Sequence, residues 1–368
     1  MAGASCSMGK VSGRPGRQSG RYFLAMLASL LVLAGAIAAG GYTWLRSQFE
    51  SPGPGEATAR LQVTSGSSVR SVLAGLQAAG VVRNARAVEW YLRLTGRKVR
   101  IESGMYEIPA HASPEDILEL FREGKVVLEQ LTVVEGATFA DFLATLAADP
   151  HVAHTVSGKS PGEIMALLAH PDLFPEGQFF PDTYRFAAGT TDLAILTRAY
   201  DAMQRELTAA WQARSPGLPL ADPYQALILA SMVEKEAALK SERGIIAGVF
   251  VNRLKKGMRL QSDPTVVYGL GPRYDGTIHT RDLQADTPYN TYTRTGLPPT
   301  PIALPGRESL LAAVSPQDTG ALYFVATGLN DGAHHFSRTL EEHNQAVQAY
   351  LTRLRSQARA AGSGAQHP

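Results

Sequence analysis

The sequence predicts an α+β protein in three parts: a single N-terminal transmembrane helix, a small α+β module, and a larger, mainly helical α+β domain. Three observations carry this. An uncharged apolar run fills 22–45; short extended stretches alternate with helical patterns across 59–130; and long helical patterns dominate 131–357, broken by a segment rich in Pro, Gly, Thr and Tyr. At 368 residues there is room for two ordinary domains, and 45% hydrophobic with 18% charged residues are globular values. A formal net charge of +2 with no basic stripe through the body of the chain gives no reason to expect nucleic acid as a partner. The single cysteine, Cys6, cannot close an internal disulfide, and it leaves thiol catalysis and cysteine-held zinc without candidates elsewhere.

Residues 1–21 carry Lys10, Arg14, Arg17 and Arg21 and no acid; the first acidic residue is Glu50. Positive flanks stay inside, so this tail is expected to be cytoplasmic and everything after Arg46 to lie outside. The run 22–45 fits the roughly 20 apolar residues that span a bilayer core. Tyr22 stands at one end, with Tyr42 and Trp44 at the other, where aromatic rings favour the interface. AIAAGG resembles a cleavage site, but signal-peptide cores are only about 7–15 apolar residues long, so a retained anchor is expected. Residues 46–58, rich in Pro and Gly, read as a linker.

The module at 59–130 starts with a short strand, Leu61–Gly66. Val69, Val72, Leu73 and Leu76 then repeat at helical spacing, stopped at Gly80, and a second helix over Arg86–Leu94 carries Trp90 and Tyr91. GMYEIP is a short extended stretch; Ser113 caps a helix with Pro114 at its first position and Asp116 three residues after the cap, and Gly124 ends it. In the larger domain, helices are expected over Ala137–Ala147, Asp192–Ala213, Pro223–Leu239, Glu242–Lys256 and Leu340–Leu354. LYFVATG is the only clear strand, and residues 358–368 are expected to be disordered.

The sharpest local feature is ALILASMVEKE. Leu229, Met232 and Val233 make an apolar stripe at helical spacing, and Glu236 is its next position. A carboxyl there loses hydration, its neutral form is favoured, and a protonated acid near neutral pH is what general-acid attack on a glycosidic oxygen needs. Glu234 is rotated off the stripe, so Glu234→Gln is expected to be mild. Spacing alone leaves the competing reading open, since VEKE is equally the pattern of a solvated helix face.

The run ASMVEKEAALKSERGIIAGVFVNRLKKGMRLQSDPTVVYGLG, then DTPYNTYTRTGLPPTPIALPGRESLLAAVSP, then LYFVATGLNDGAHHFSRTLEEHN, resembles the catalytic domain of the endolytic murein transglycosylase family (MltG/YceG-like), and GQFFPDTYRF at 177–186 is in the same style. In the small module, GSSVRSVLAGLQAAGVV and SGMYEIPAHASPEDILELFREGKV resemble a LysM-like part. The resemblance implies a LysM-like module at 59–130 with affinity for acetylated sugars, and a transglycosylase catalytic domain at 131–357 with Glu236 as its glutamate. It further implies cleavage of the MurNAc–GlcNAc β-1,4 bond of nascent peptidoglycan strands on the periplasmic side of the inner membrane, beside peptidoglycan synthases (penicillin-binding proteins). With one acid/base, the C6 hydroxyl of the same MurNAc would displace the leaving group and give a 1,6-anhydro end.

Gln261, Asp263, Thr265 and Tyr268, and Asn290, Thr291 and Tyr292, offer amide, hydroxyl and ring groups of the kind that bind sugars, although Asp263-Pro264 and the neighbouring prolines are also ordinary turn formers. Two rivals stay open: a muramidase-type hydrolase, with Asp182 or Asp263 as a second carboxylate, and a non-catalytic peptidoglycan-binding scaffold. His334, His335 and His343 lack carboxylate or cysteine company at ligand spacing, and no phosphate-cradling glycine loop is present; no metal or cofactor is expected.

Overall fold

The computed structural model describes residues 18–64 and 66–364; Cys6, Lys10, Arg14 and Arg17 of the expected cytoplasmic tail, and residues 365–368, lie outside them. The chain divides into two compact units, Met1–Val127 and Leu128–Pro368.

The first unit opens with α1 (Gln18–Glu50), then β1 (Ala59–Val63), α2 (Val69–Ala78), α3 (Ala85–Thr95), β2 (Gly104–Ile108) and α4 (Pro114–Arg122). α1 is long and apolar enough to cross a membrane, and its large side chains from Tyr22 to Ile37 are exposed. Its last turns differ: Phe49 is buried and stacks on Tyr91 of α3 with ring centroids 4.6 Å apart. The helix therefore continues through residues expected to begin a linker, helped by an Arg46–Glu50 ion pair at 2.8 Å across one turn. The rest of that stretch is docked as well. Gly53 donates its N–H to Ala112 O at 3.2 Å, and a Cβ there would meet Val81 O at 2.4 Å, an approach only glycine permits.

β1 and β2 pair antiparallel from Ala59↔Ile108 to Val63↔Gly104. The helices start where side chains satisfy their first N–H groups: Ser68 for α2, Asn84 for α3, and a Ser113/Asp116 capping box for α4. Leu73, Leu76, Val88, Tyr106, Ile108, Ile117 and Phe121 fill the space between. β3 (Val126–Thr132) crosses the boundary: Val126 and Val127 pair with β2, and Leu128–Thr132 pair with the later β4.

The second unit continues with α5 (Phe139–Ala148), α6 (Pro161–Leu167), β4 (Thr183–Ala187), α7 (Asp192–Gln212), α8 (Pro223–Glu236), α9 (Arg243–Lys255), α10 (Asp263–Leu270), α11 (Thr280–Gln284), α12 (Arg307–Val314), β5 (Tyr323–Ala326), β6 (His334–Ser337) and α13 (Leu340–Gly364). One apolar cluster gathers Phe139, Phe142, Phe179, Phe186, Ile195 and Tyr200 around α5, β4 and α7. A second gathers Leu229, Met232, Val233, Ile246, Phe250 and Leu310 around α8, α9 and α12.

Several expectations are corrected. α8 stops at Glu236 rather than Leu239, because Ala237 turns to an extended conformation and a 3₁₀ turn at Lys240–Glu242 leads into α9. The LYFVATG strand has a partner that was not anticipated, pairing Tyr323↔Ser337 through Ala326↔His334. β3, β4, α6 and α12 were also missed. α13 spans Leu340–Gly364.

Candidate active site

α8 is buried without a break from Ala226 to Val233, so it is a helix apolar all round rather than striped on one face. Its charged residues appear only in the last turn, and the two glutamates there have different tasks. Glu234 is buried and locked: Arg243 Nη2 lies 2.7 Å from its Oε1, and the Gly306 N–H donates to its Oε2 at 2.9 Å. Arg243, itself buried, also reaches Glu135 at 3.2 Å and Glu308 at 2.8 Å. The expectation of a mild Glu234→Gln concerned activity; the ion pair adds a cost in stability, because a buried, paired carboxylate cannot be neutralised cheaply.

Glu236, the final residue of α8, is only partly buried. The Ser262 hydroxyl donates to its Oε1 at 2.6 Å, which leaves Oε2 without a protein partner among the described residues. Burial pushes the carboxyl up to about 7, with the charge of Asp263 adding to the rise and the Ser262 hydrogen bond and His334 opposing it. Near neutral pH the group is thus divided between acid and carboxylate, as a residue must be that first gives a proton and later takes one back.

Two loops position Ser262. Arg253 of α9, buried, donates from Nε to Leu322 O at 2.6 Å and from Nη1 to Arg259 O, Leu260 O and Gln261 Oε1 at 3.1, 3.0 and 3.0 Å. That grip holds Gln261 at a φ of 53°, a conformation few non-glycine residues adopt. The loop after α11 is stitched to this one. Gln261 N–H donates to Thr291 O at 3.1 Å, Ser262 N–H to Thr291 Oγ1 at 2.9 Å, and the Thr265 and Thr291 hydroxyls lie 2.9 Å apart.

The structure gathers some of the sequence candidates and turns others away. Asp263 is exposed, lies in electrostatic reach of Glu236, and accepts the Tyr292 hydroxyl at 2.6 Å. Thr265 is wholly buried and serves the loop junction. Tyr268 donates to Glu176 Oε2 at 3.1 Å. Asn290 is buried, with its amide nitrogen donating to Asp282 O, Leu283 O and Ala285 O at 3.1, 3.1 and 2.7 Å; its side chain folds the loop instead of facing solvent. Asp182 is exposed at the start of β4, where its Oδ1 accepts the Thr183 N–H at 2.7 Å. His334 pairs with Glu242, Nδ1 to Oε2 at 2.7 Å.

Two residues escaped the sequence reading. Ser262 stands between two chosen positions in RLQSDPT, and nothing in spacing favours its hydroxyl over its neighbours. Glu176 has a carboxyl that burial also pushes up to about 7. It is 4% exposed, and its oxygens are taken by the Phe139 N–H at 3.0 Å and Tyr268, so it braces the fold where Glu236 keeps an oxygen free.

A model of the YceG-like family matches residues 61–349. Among characterised proteins, an endolytic murein transglycosylase of Bacillus subtilis is 31% identical over 313 residues, covering 80% of this chain and 85% of that one. An endolytic murein transglycosylase of Streptococcus pneumoniae serotype 2 is 27% identical over 366 residues, covering 89% of this chain and 65% of its own length. A crystal structure of a yceG-like protein from Listeria monocytogenes shows 30% identity and a TM-score of 0.45, covering 79% of this chain and 99% of that one.

Proposed function

This chain belongs to the YceG-like family, and from that membership and the setting of Glu236 we infer that it is an endolytic murein transglycosylase, a lyase that cuts peptidoglycan strands internally. One observation carries the assignment of the acid: Glu236 combines a pKa near neutrality with one oxygen held by Ser262 and the other free.

The reaction then needs a single protein carboxyl. Glu236 Oε2 carries the proton and delivers it to the oxygen between MurNAc and GlcNAc as that bond breaks. The C6 hydroxyl of the same MurNAc attacks C1, and its proton passes to Glu236, restoring the acid and leaving a 1,6-anhydro end. Ser262 keeps Oε1 fixed through both proton transfers, stabilising the carboxylate when it forms. Gln261 and Asp263 flank Ser262 in the chain, Tyr292 donates to Asp263 at 2.6 Å, and these three are the sugar contacts we favour; Thr265, Tyr268 and Asn290 support the loops that present them.

The remaining assignments follow the same reading. α1 anchors the protein in the inner membrane by a single pass, with the tail cytoplasmic and both units periplasmic. The β1–α2–α3–β2 unit serves as a LysM-like glycan-binding module, and cuts within nascent strands place the enzyme beside the peptidoglycan synthases. Mass spectrometry of purified peptidoglycan after digestion tests the activity. Internal cuts ending in anhydroMurNAc support it, reducing MurNAc ends support a muramidase, and intact strands leave only a scaffold.

A further inference from the structure

We propose that the exposed side of α3, carrying Trp90 and Leu94 within a basic surround, rests on the bilayer surface from which α1 emerges, against anionic lipid headgroups. The inference depends on α1 being the membrane anchor and adds to that reading a second, peripheral contact made by the first unit.

The level of α3 is fixed by its packing. Tyr91 stacks on Phe49 at 4.6 Å and lies 6.1 Å from Tyr42, ring centroid to ring centroid. Those two α1 residues are two turns apart, about 10 Å of helix rise. Tyr42 and Trp44 mark the end of the apolar span, so α3 lies alongside the stretch of α1 that passes through the headgroup layer. Beside Tyr91, Trp90 is 57% exposed and Leu94, one turn on, is 61% exposed. An amphipathic ring and an aliphatic side chain left open at that height match the chemistry of the interface.

The charge agrees. From Arg83 to Arg100 the basic residues are Arg83, Arg86, Arg93, Arg97, Lys98 and Arg100, against a single acid, Glu89. Glu89 is occupied by Arg70 at 3.0 Å and Arg93 at 2.7 Å, and Arg97 pairs with Glu115 at 3.0 Å. Arg83, Arg86, Lys98 and Arg100 make no ion pair among the described residues. Unpaired cations within a Debye length of an anionic surface are drawn to it, and the attraction weakens with salt.

Tryptophan quenching in the full-length protein tests this and separates it from the anchor reading. Two variants each keep one reporter: Trp44→Phe with Trp211→Phe leaves Trp90, and Trp90→Phe with Trp211→Phe leaves Trp44. Both are reconstituted into phosphatidylcholine vesicles whose acyl chains are brominated near the headgroup, with and without phosphatidylglycerol. The proposal expects Trp44 to be quenched in both lipids, and Trp90 to be quenched about twofold in the anionic vesicles, reversed by salt. Quenching of Trp44 without Trp90 overturns the proposal and leaves the anchor standing. Quenching of neither overturns both. Equal Trp90 quenching without phosphatidylglycerol overturns the anionic-lipid assignment. A Trp90 that ignores vesicles but shifts its emission with N-acetylglucosamine oligomers gives this face to glycan instead.

Discussion

The Ser262 hydroxyl lies 2.6 Å from Glu236 Oε1, joining the end of α8 to the residue that precedes α10. Everything that fixes Ser262, from the Arg253 grip to the Thr291 contacts, also fixes the one carboxyl whose pKa and accessibility suit proton transfer.

Glu236→Gln keeps size and hydrogen bonding but removes the transferable proton. Activity on peptidoglycan should fall at least about 10²-fold. The sign of its stability effect follows from linkage. A carboxyl raised from 4.5 to about 7 on folding costs stability as pH climbs through that window, because the unfolded chain ionises first. The variant should therefore be more stable than the parent at pH 8, by up to about 3 kcal/mol, and show no such gain at pH 4. Glu176→Gln, at the other carboxyl raised to about 7, should keep activity within about tenfold, since no proton transfer is assigned to it.

Ser262→Ala removes the donor that opposes the rise in Glu236's pKa. The alkaline limb of the kcat/KM–pH profile should move to higher pH, with turnover reduced about tenfold, the worth of one hydrogen bond to a charged group. An unchanged profile would mean that the Ser262 contact does not govern the titrating group.

Asp263→Asn acts in the opposite direction. Its charge helps to raise Glu236's pKa, and the amide can still accept the Tyr292 hydroxyl, so the same limb should move to lower pH while substantial activity remains. A loss matching that of Glu236→Gln would make Asp263 the second carboxylate of a hydrolase.

Glu234→Gln should lower stability by about 2–3 kcal/mol in urea unfolding, because it strips a buried arginine of its closest acceptor. Glu135 and Glu308 remain beside Arg243, at 3.2 and 2.8 Å, which keeps the loss below the usual cost of a broken buried pair. The lesion should appear in stability first and in catalysis only where the last turn of α8 loosens.

How much of this could be read from the sequence differs by element. The apolar span, the capped helices of the first unit and the long helices α7 and α13 announce themselves through periodicity or cap residues, and α8 and α9 through sustained apolar runs. β3 and β4 do not, because their mutual pairing joins residues far apart in sequence, Thr132 with Thr183, and β6, although next to its partner β5, is only four residues long and shows no period of its own. Glu236 is singled out by the sequence, but the structure sets it apart by a different feature. The stripe argument assumes a half-exposed helix, whereas α8 is buried all round from Ala226 to Val233, and the side chain of Glu234 is buried as well. What separates the two is their partners, an arginine for one and a serine hydroxyl for the other, and Arg243 and Ser262 reach them only through tertiary contacts. For the same reason Asn290 looked like a sugar ligand although its amide is spent on loop carbonyls.

Isotope incorporation tests the central claim, a single carboxyl with the substrate supplying its own nucleophile. Peptidoglycan cleaved by the full-length protein in H₂¹⁸O should yield new MurNAc ends that are anhydro and free of label, and Glu236→Gln should abolish them. Label at the new ends, in reducing sugars lost in both Glu236→Gln and Asp263→Asn, would contradict it.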